Sequence, residues 1–373
     1  MTDPPTASAA RPEDATPHDR AAAGRSAAPS GGAPRDDRLV ATSLFSRVMS
    51  RPSLGAVAGA LVVYLFFAIY TDKFSTPGGV STWLDPASTL GIMAVAVAFL
   101  MIGGEFDLSA GVMTGSTGLC MGLLAVHVGW NIWLAMLGAL VFAVVIGLVN
   151  GLLVVRTGLP SFIVTLGTFF ILQGLNQGVA QLVTSTVRVD GINTASGYAG
   201  ARALLGSTFA VGGVTVQASV LWWIGFSLVG SFVLLRTRFG NWVFAVGGNK
   251  VAAHSVGVPV ARTKVSLFVL TSVAAWFVGM TLALRFTSVT SSQGVGLELQ
   301  FIIAAVVGGC VLTGGVGSII GASLGALIFG MAQIGIPFAG WDSNWFFLFL
   351  GGMLLMAVFA NNIIRSRYQR GRA

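Results

Sequence analysis

The chain has 373 residues, of which 54% are hydrophobic and only 9% charged, against about 25% charged in soluble domains. So few charges do not make a water-solvated surface, which excludes an ordinary soluble domain and leaves a lipid bilayer as the solvent. The net charge of +8 is spread along the flanks of apolar runs and forms no single basic patch, so nucleic acid is excluded as the partner.

Residues 1–52 differ from the rest: they hold seven Arg and six acidic residues. From Met1 to Val40 they are mostly Ala, Pro, Gly, Ser and Arg, with too little apolar surface to fold. A disordered cytoplasmic tail is expected over 1–52. It lacks the short apolar core of a secretory signal peptide, so the first apolar helix is the expected targeting element.

A hydrocarbon core about 30 Å thick needs roughly 20 apolar residues per crossing helix, whose backbone must satisfy its own hydrogen bonds there. Five runs fit in the first half: Ser53 to Tyr70, Ala87 to Gly103, Leu108 to Val128, Trp130 to Val155 and Ser161 to Leu182. A polar stretch, Val183 to Gln217, interrupts. Five more follow: Val220 to Leu235, Val265 to Phe286, Leu299 to Leu312, Ser318 to Ile336 and Asn344 to Ala360. The fold expected is an all-α integral membrane protein of about ten transmembrane helices, with a transmembrane body over 53–364. A cytoplasmic loop is expected over 236–264 and a basic cytoplasmic tail over 365–373.

Loop charge supports that count, since cytoplasmic loops are enriched in Lys and Arg. With both termini cytoplasmic, the inner segments carry Arg47, Arg51, Arg156, Arg236, Arg238, Lys250, Arg262, Lys264, Arg365, Arg367, Arg370 and Arg372. The outer loops carry Lys73, Arg188 and Arg202 beside Asp72, Asp85, Asp190 and Asp342.

Of the 50 glycines, many fall four apart within predicted helices, as at Gly111 and Gly115, Gly118 and Gly122, Gly147 and Gly151, and Gly317, Gly321 and Gly325. Such faces let helix backbones approach closely in lipid. A weak internal echo relates Gly103 to Val112 with Gly308 to Val316, and duplicated halves are common in transporters.

Glu105 and Asp107 lie between two apolar runs, and carboxylates at such positions are functional candidates by default. Asp107 or Ser109 also suits the N-cap of the following helix. The run from Asn150-Gly151 through Arg156 to Gly158-Leu159-Pro160-Ser161 reads as a helix end, a tight turn and a new helix start. Thr165 belongs to that new helix. Downstream, Gln173, Asn176 and Gln177 bring hydrogen-bonding groups into an apolar helix, either as a path for a hydroxylated solute or as interhelical glue. Glu105, Asp107, Ser109, Asn150, Thr165, Gln173 and Asn176 are therefore the candidate substrate-pathway residues.

Within the 236–264 loop, Gly247-Gly248-Asn249-Lys250-Val251-Ala252-Ala253-His254-Ser255-Val256-Gly257 leaves room for about two helical turns. Such a helix either rests on the anionic membrane surface or docks a partner. His254 has no carboxylate neighbour in sequence and reads as an ordinary loop residue.

No phosphate-cradling Gly-x-x-x-x-Gly-Lys-Ser/Thr pattern occurs, so any ATP used is hydrolysed by another chain. Neither a catalytic constellation nor metal ligands can be read: Cys120 and Cys310 stand in apolar stretches without a second ligand at metal spacing.

The motifs Gly103-Gly104-Glu105-Phe106-Asp107-Leu108-Ser109-Ala110-Gly111, Asn150-Gly151, Leu159-Pro160-Ser161-Phe162-Ile163-Val164-Thr165-Leu166-Gly167 and Gly314-Gly315-Val316-Gly317-Ser318 resemble the permease subunits of ribose- and xylose-type ABC sugar importers, within the branched-chain amino acid and ribose permease superfamily. The likeness covers Ser53 to Arg370. It implies ATP-driven import of a monosaccharide or polyol by alternating access in a bacterial inner membrane. It also implies a cytoplasmic ABC ATPase, an extracytoplasmic sugar-binding protein and a second permease copy as partners, besides membrane lipid.

Gly248-Asn249-Lys250-Val251-Ala252-Ala253 is similar to that family's coupling helix, which docks the ATPase. The resemblance so assigns Gly248, Asn249, Lys250, Ala252, Ala253, His254 and Gly257 to coupling. Relatives place Glu before the two Ala residues where this chain has Lys250 and Val251, which changes the charge of the contact. Two rival readings stand beside this one: a proton-coupled secondary transporter using Glu105 and Asp107, and a membrane-embedded enzyme.

Overall fold

The computed structural model describes residues 52–370, with side chains over 55–359. The N-terminal tail read from the sequence lies outside the described residues but for its last position, Pro52, and residues 371–373 lie outside them too. The described chain is helical apart from four short strands. In order the elements are α1 (Pro52–Tyr70), α2 (Pro77–Ile102), α3 (Ala110–Gly122, continued by a π turn Leu123–His127), α4 (Ile132–Thr157) and α5 (Ser161–Thr184). Then come β1 (Arg188–Asp190), α6 (Tyr198–Leu205), β2 (Thr208–Val211), β3 (Val214–Gln217), α7 (Ala218–Arg236), α8 (Arg238–Gly248) and α9 (Lys250–Ser255). The last are α10 (Val260–Phe286), β4 (Ser288–Thr290), α11 (Leu297–Val307), α12 (Ile319–Phe338) and α13 (Trp345–Arg370).

Each of the ten apolar runs overlaps a helix, but the run Leu299 to Leu312 outlasts α11, which ends at Val307 because Gly308 and left-handed Gly309 close it. Seven helices are long and apolar enough to cross a membrane: α2, α3 with its π turn, α4, α5, α7, α10 and α12. The apolar parts of α1, α11 and α13, over Gly55–Tyr70, Leu297–Val307 and Trp345–Phe359, are shorter. The chain is thus a multi-pass membrane protein. α13 continues through Arg370 and overlaps the segment read as a basic tail.

Local chemistry sets the ends. α2 begins ten residues before the expected Ala87 because Thr76 caps it, accepting from Gly79 N at 3.1 Å, with Pro77 at the first helical position. Asn131 caps α4 by accepting from Trp133 N at 3.0 Å, and left-handed Gly158 closes it. Ser318 caps α12 by accepting from Gly321 N at 3.2 Å, which leaves Gly317 outside the helix.

The polar interruption is more structured than a loop. β1 pairs antiparallel with β4, Val189 opposite Val289. β2 and β3 form a hairpin turned by Gly212 and Gly213, both at positive φ.

Packing sorts the helices. α2, α3, α10 and α12 are largely enclosed, whereas α4, α5 and α7 are mostly exposed along their apolar faces. The expected small-residue faces fit into this arrangement. A Cβ at Gly147 would stand 2.8 Å from Val269 Cα, and one at Gly151 would stand 2.8 Å from Val265 Cα. Two glycines one turn apart therefore let α4 lie directly on the α10 backbone.

The two echoing segments end their helices alike. After α2, Gly104 N donates to Met101 O at 2.9 Å and Glu105 N to Leu100 O at 3.1 Å. After α11, Gly309 N donates to Val306 O at 2.9 Å and Cys310 N to Ala305 O at 2.9 Å. Gly104 and Gly309 are both left-handed, at φ 81° and 93°, so each end is a Schellman motif. Beyond Gly309, α11 gives way to a non-helical stretch that crosses under α2, where Gly315 N donates to Ile102 O at 2.8 Å.

Candidate functional site

The stretch 103–109 leaves the helical hydrogen-bond ladder, so its buried N–H groups need partners from elsewhere. α5 supplies them: Phe106 N donates to Ser161 Oγ and Leu108 N to Thr165 Oγ1, each at 3.0 Å. The position of Pro160 explains the arrangement, because it starts α5 so that Ser161 and Thr165, one turn apart, face the stretch.

Asp107 is buried and turns back on its own chain, accepting from Ser109 N at 2.8 Å and from Ser109 Oγ at 2.5 Å. Ser109 is the N-cap residue of α3 but makes no side-chain cap bond; Asp107 instead holds the turn that precedes the helix. Ser109 Oγ also accepts from Asn150 Nδ2 at 3.1 Å, and Asn150 Oδ1 accepts from Thr168 at 2.6 Å. Asp107, Ser109 and Asn150 therefore join Thr168 in one buried polar network linking α3, α4 and α5, while Thr165 stands outside it, holding the backbone at Leu108.

Glu105 faces elsewhere. Its carboxylate accepts from Lys264 Nζ on the first turns of α10. Both side chains border a cavity of about 600 Å³, whose wall also includes Pro160, Asn249, Lys250 and His254. Of the seven candidate pathway residues, only Glu105 lines this cavity.

Asn176 lies further along α5, where it donates to Ser116 Oγ on α3 at 3.0 Å. Gln173 is half-buried one turn before it, and Gln177 is exposed.

The segment expected to couple forms the rim of the same cavity. α8 ends at Gly248, and Asn249 caps α9 by accepting from Val251 N and Ala252 N, each at 3.0 Å. Ala253 packs inward while Lys250, Ala252 and His254 stay exposed, and Gly257 ends the turn at φ 82°. Val251 is 69% exposed and Val256 79%. The helix thus presents apolar side chains away from the body, held in place by a cap and one buried alanine.

Glycine also brings the rim onto the body. A Cβ at Gly247 would overlap Ile102 O, and one at Gly314 would stand 2.7 Å from Gly104 Cα. Three backbones cross there: the ends of α2 and α8 and the stretch after α11.

Sequence reasoning missed the partner of Glu105, as well as Asp85 and Arg285, which form a second ion pair at the far end of α10. Basic residues at both ends of an apolar helix were the available signal. Among the described residues no group of three or more His, Cys, Asp or Glu is placed to hold a metal.

The chain was compared with known proteins. The xylose transport system permease protein XylH of Escherichia coli strain K12 is 29% identical over 364 residues, covering 83% of this chain and 92% of XylH. The L-arabinose ABC transporter permease protein AraH of Azospirillum brasilense is 32% identical over 319 residues, covering 84% and 88%. The galactose/methyl galactoside import permease protein MglC of Salmonella typhimurium is 32% identical over 330 residues, covering 84% and 95%. No solved structure matches. The family model for the permease component of branched-chain amino acid transport systems matches residues 79–358, and the chain belongs to that family of transport permeases.

Proposed function

We propose that this chain is the membrane-spanning permease subunit of an ATP-binding-cassette importer for a monosaccharide or related polyol, in the inner membrane of a bacterium. The observation that carries the reading is the capped, exposed α9. It projects Val251 and Val256 outward and runs through a short connection into the enclosed α10. A partner moving α9 therefore moves a central helix of the bundle, as alternating access requires.

In this reading ten segments cross the bilayer, α11 together with the stretch after it counting as one, and both termini are cytoplasmic. α9 then lies on the cytoplasmic side, where an ABC ATPase docks and hydrolyses ATP. The β1–β4 ribbon, α6 and the β2–β3 hairpin lie outside, where a sugar-binding protein delivers substrate. The exposed apolar faces of α4, α5 and α7 meet lipid and a second permease copy. The sugar names borne by the relatives, xylose, arabinose and galactose, support pentoses and hexoses as the class.

Glu105 is paired with Lys264, and Asp107 accepts from Ser109; carboxylates so placed also occur in proton relays, and the uptake test separates the two readings.

The test is uptake of labelled pentoses, hexoses and polyols by cells with and without the gene, under ATP depletion or collapse of the proton gradient. Gene-dependent uptake that follows ATP and ignores the gradient supports the importer. Uptake that follows the gradient supports a secondary transporter and overturns this reading.

A further inference from the structure

Two ion pairs, far apart in the fold, join the same two helices. On α2, Asp85 accepts from both terminal guanidinium nitrogens of Arg285, near the end of α10. Just past the end of α2, Glu105 accepts from Lys264, near the start of α10. The paired side chains are mostly shielded, between 8% and 24% exposed. The acids are twenty residues apart and the bases twenty-one. Within α10, which holds both bases, 1.5 Å per residue makes that about 30 Å of rise, the thickness of a hydrocarbon core. The one other ion pair among the described residues, Arg188 with Asp190, is exposed and lies within a single strand.

Separating either pair strands a shielded charge without a partner, which costs far more than separating an exposed one. Sliding or rocking of α2 against α10 is therefore opposed at both ends at once. α10 also contacts or continues into other elements at each end. It follows α9 in the chain, and beyond Phe286 it leads into β4, paired with β1. Tyr198 on α6 donates to Leu284 O at 2.9 Å.

We infer that α2 and α10 form a single rigid strut, held at both membrane faces by Asp85–Arg285 and Glu105–Lys264. Displacement of α9 then reaches the β1–β4 ribbon as movement of the whole strut. The four residues are positioning residues for transport. The coupling role rests on the importer reading; the strut itself is a property of this chain alone.

The first arm uses the purified permease in detergent. Glu105→Gln and Lys264→Gln each lower Tm by several degrees, the double variant adds little to either, and the exchange Glu105→Lys with Lys264→Glu recovers most of the loss. The same pattern holds for Asp85 and Arg285. Additive losses without recovery by exchange overturn the inference, and the exchanged variants decide it should the single ones fail to fold.

The second arm uses the permease–ATPase complex in nanodiscs, with Cys120→Ala and Cys310→Ala. Nitroxides at Thr82→Cys and Phe286→Cys report the α2–α10 distance. It stays constant between the nucleotide-free and ADP-vanadate-trapped states, and a shift of several ångströms on trapping overturns the rigid strut. Failure of an ATPase to assemble counts against the importer reading, and the first arm then decides the strut.

Discussion

Thr168 on α5 donates a 2.6 Å hydrogen bond to the side-chain oxygen of Asn150 on α4, whose amide in turn donates to Ser109. One asparagine thus bridges three segments with both ends of its side chain. Asn150→Leu leaves two buried hydroxyls short of a partner, at a cost of about 1–3 kcal/mol. Thr168→Val removes the bond to Asn150 and the longer one from the same hydroxyl to Val164 O, and costs about 1 kcal/mol. Thermal unfolding in detergent is expected to rank Asn150→Leu below Thr168→Val and both below the parent.

Close backbone approach predicts a contrast between glycines. Gly147→Ala places a methyl group against α10 backbone that has no room to yield, so α4 and α10 must separate. Gly225→Ala on α7 meets nothing within 4 Å and gains about 1 kcal/mol of helix propensity. The expected outcome is a lowered Tm for the first and an unchanged or raised Tm for the second.

The cap of α9 predicts loss of coupling without loss of fold. Asn249→Ala leaves Val251 N and Ala252 N without their acceptor, a cost of about 1 kcal/mol confined to a six-residue helix. Val251→Asp places a charge on the exposed docking face. Both are expected to purify as stable permeases, to retain less ATPase on co-purification, and to reduce ATP-dependent uptake several-fold.

The exposed pair Arg188–Asp190 predicts a small effect. Both side chains are more than half exposed, and such pairs contribute about 0–1 kcal/mol. Asp190→Asn is expected to leave Tm within about a degree of the parent. A large fall would mean that the β1–β4 ribbon depends on this pair.

The sequence made legible what local chemistry decides. Ten apolar runs marked ten helices, Pro160 marked the start of α5, and Asn249 with its glycine neighbours marked a short helix. Pairings across the chain were not legible. Lys264 is 159 residues from Glu105, and Arg285 is 200 from Asp85; no periodicity links such positions. The strands escaped notice because three- and four-residue segments carry too little alternation to register. The same limit applies to α5, where Gln173 and Asn176 looked equivalent along the sequence, yet only Asn176 faces α3.

The eleven-residue α11 and the irregular stretch beyond it bear on how the protein is made. A segment this short, followed by a stretch outside any helix, has little tendency to leave the translocon for lipid unaided. Its peptide groups are met by chain already synthesised, as when Gly315 reaches back to Ile102, and its flank is covered by α12, synthesised later. Membrane integration in this region is consequently expected to be a late, cooperative event. Truncation before Ile319 should leave α11 poorly inserted even though all of its own residues are present.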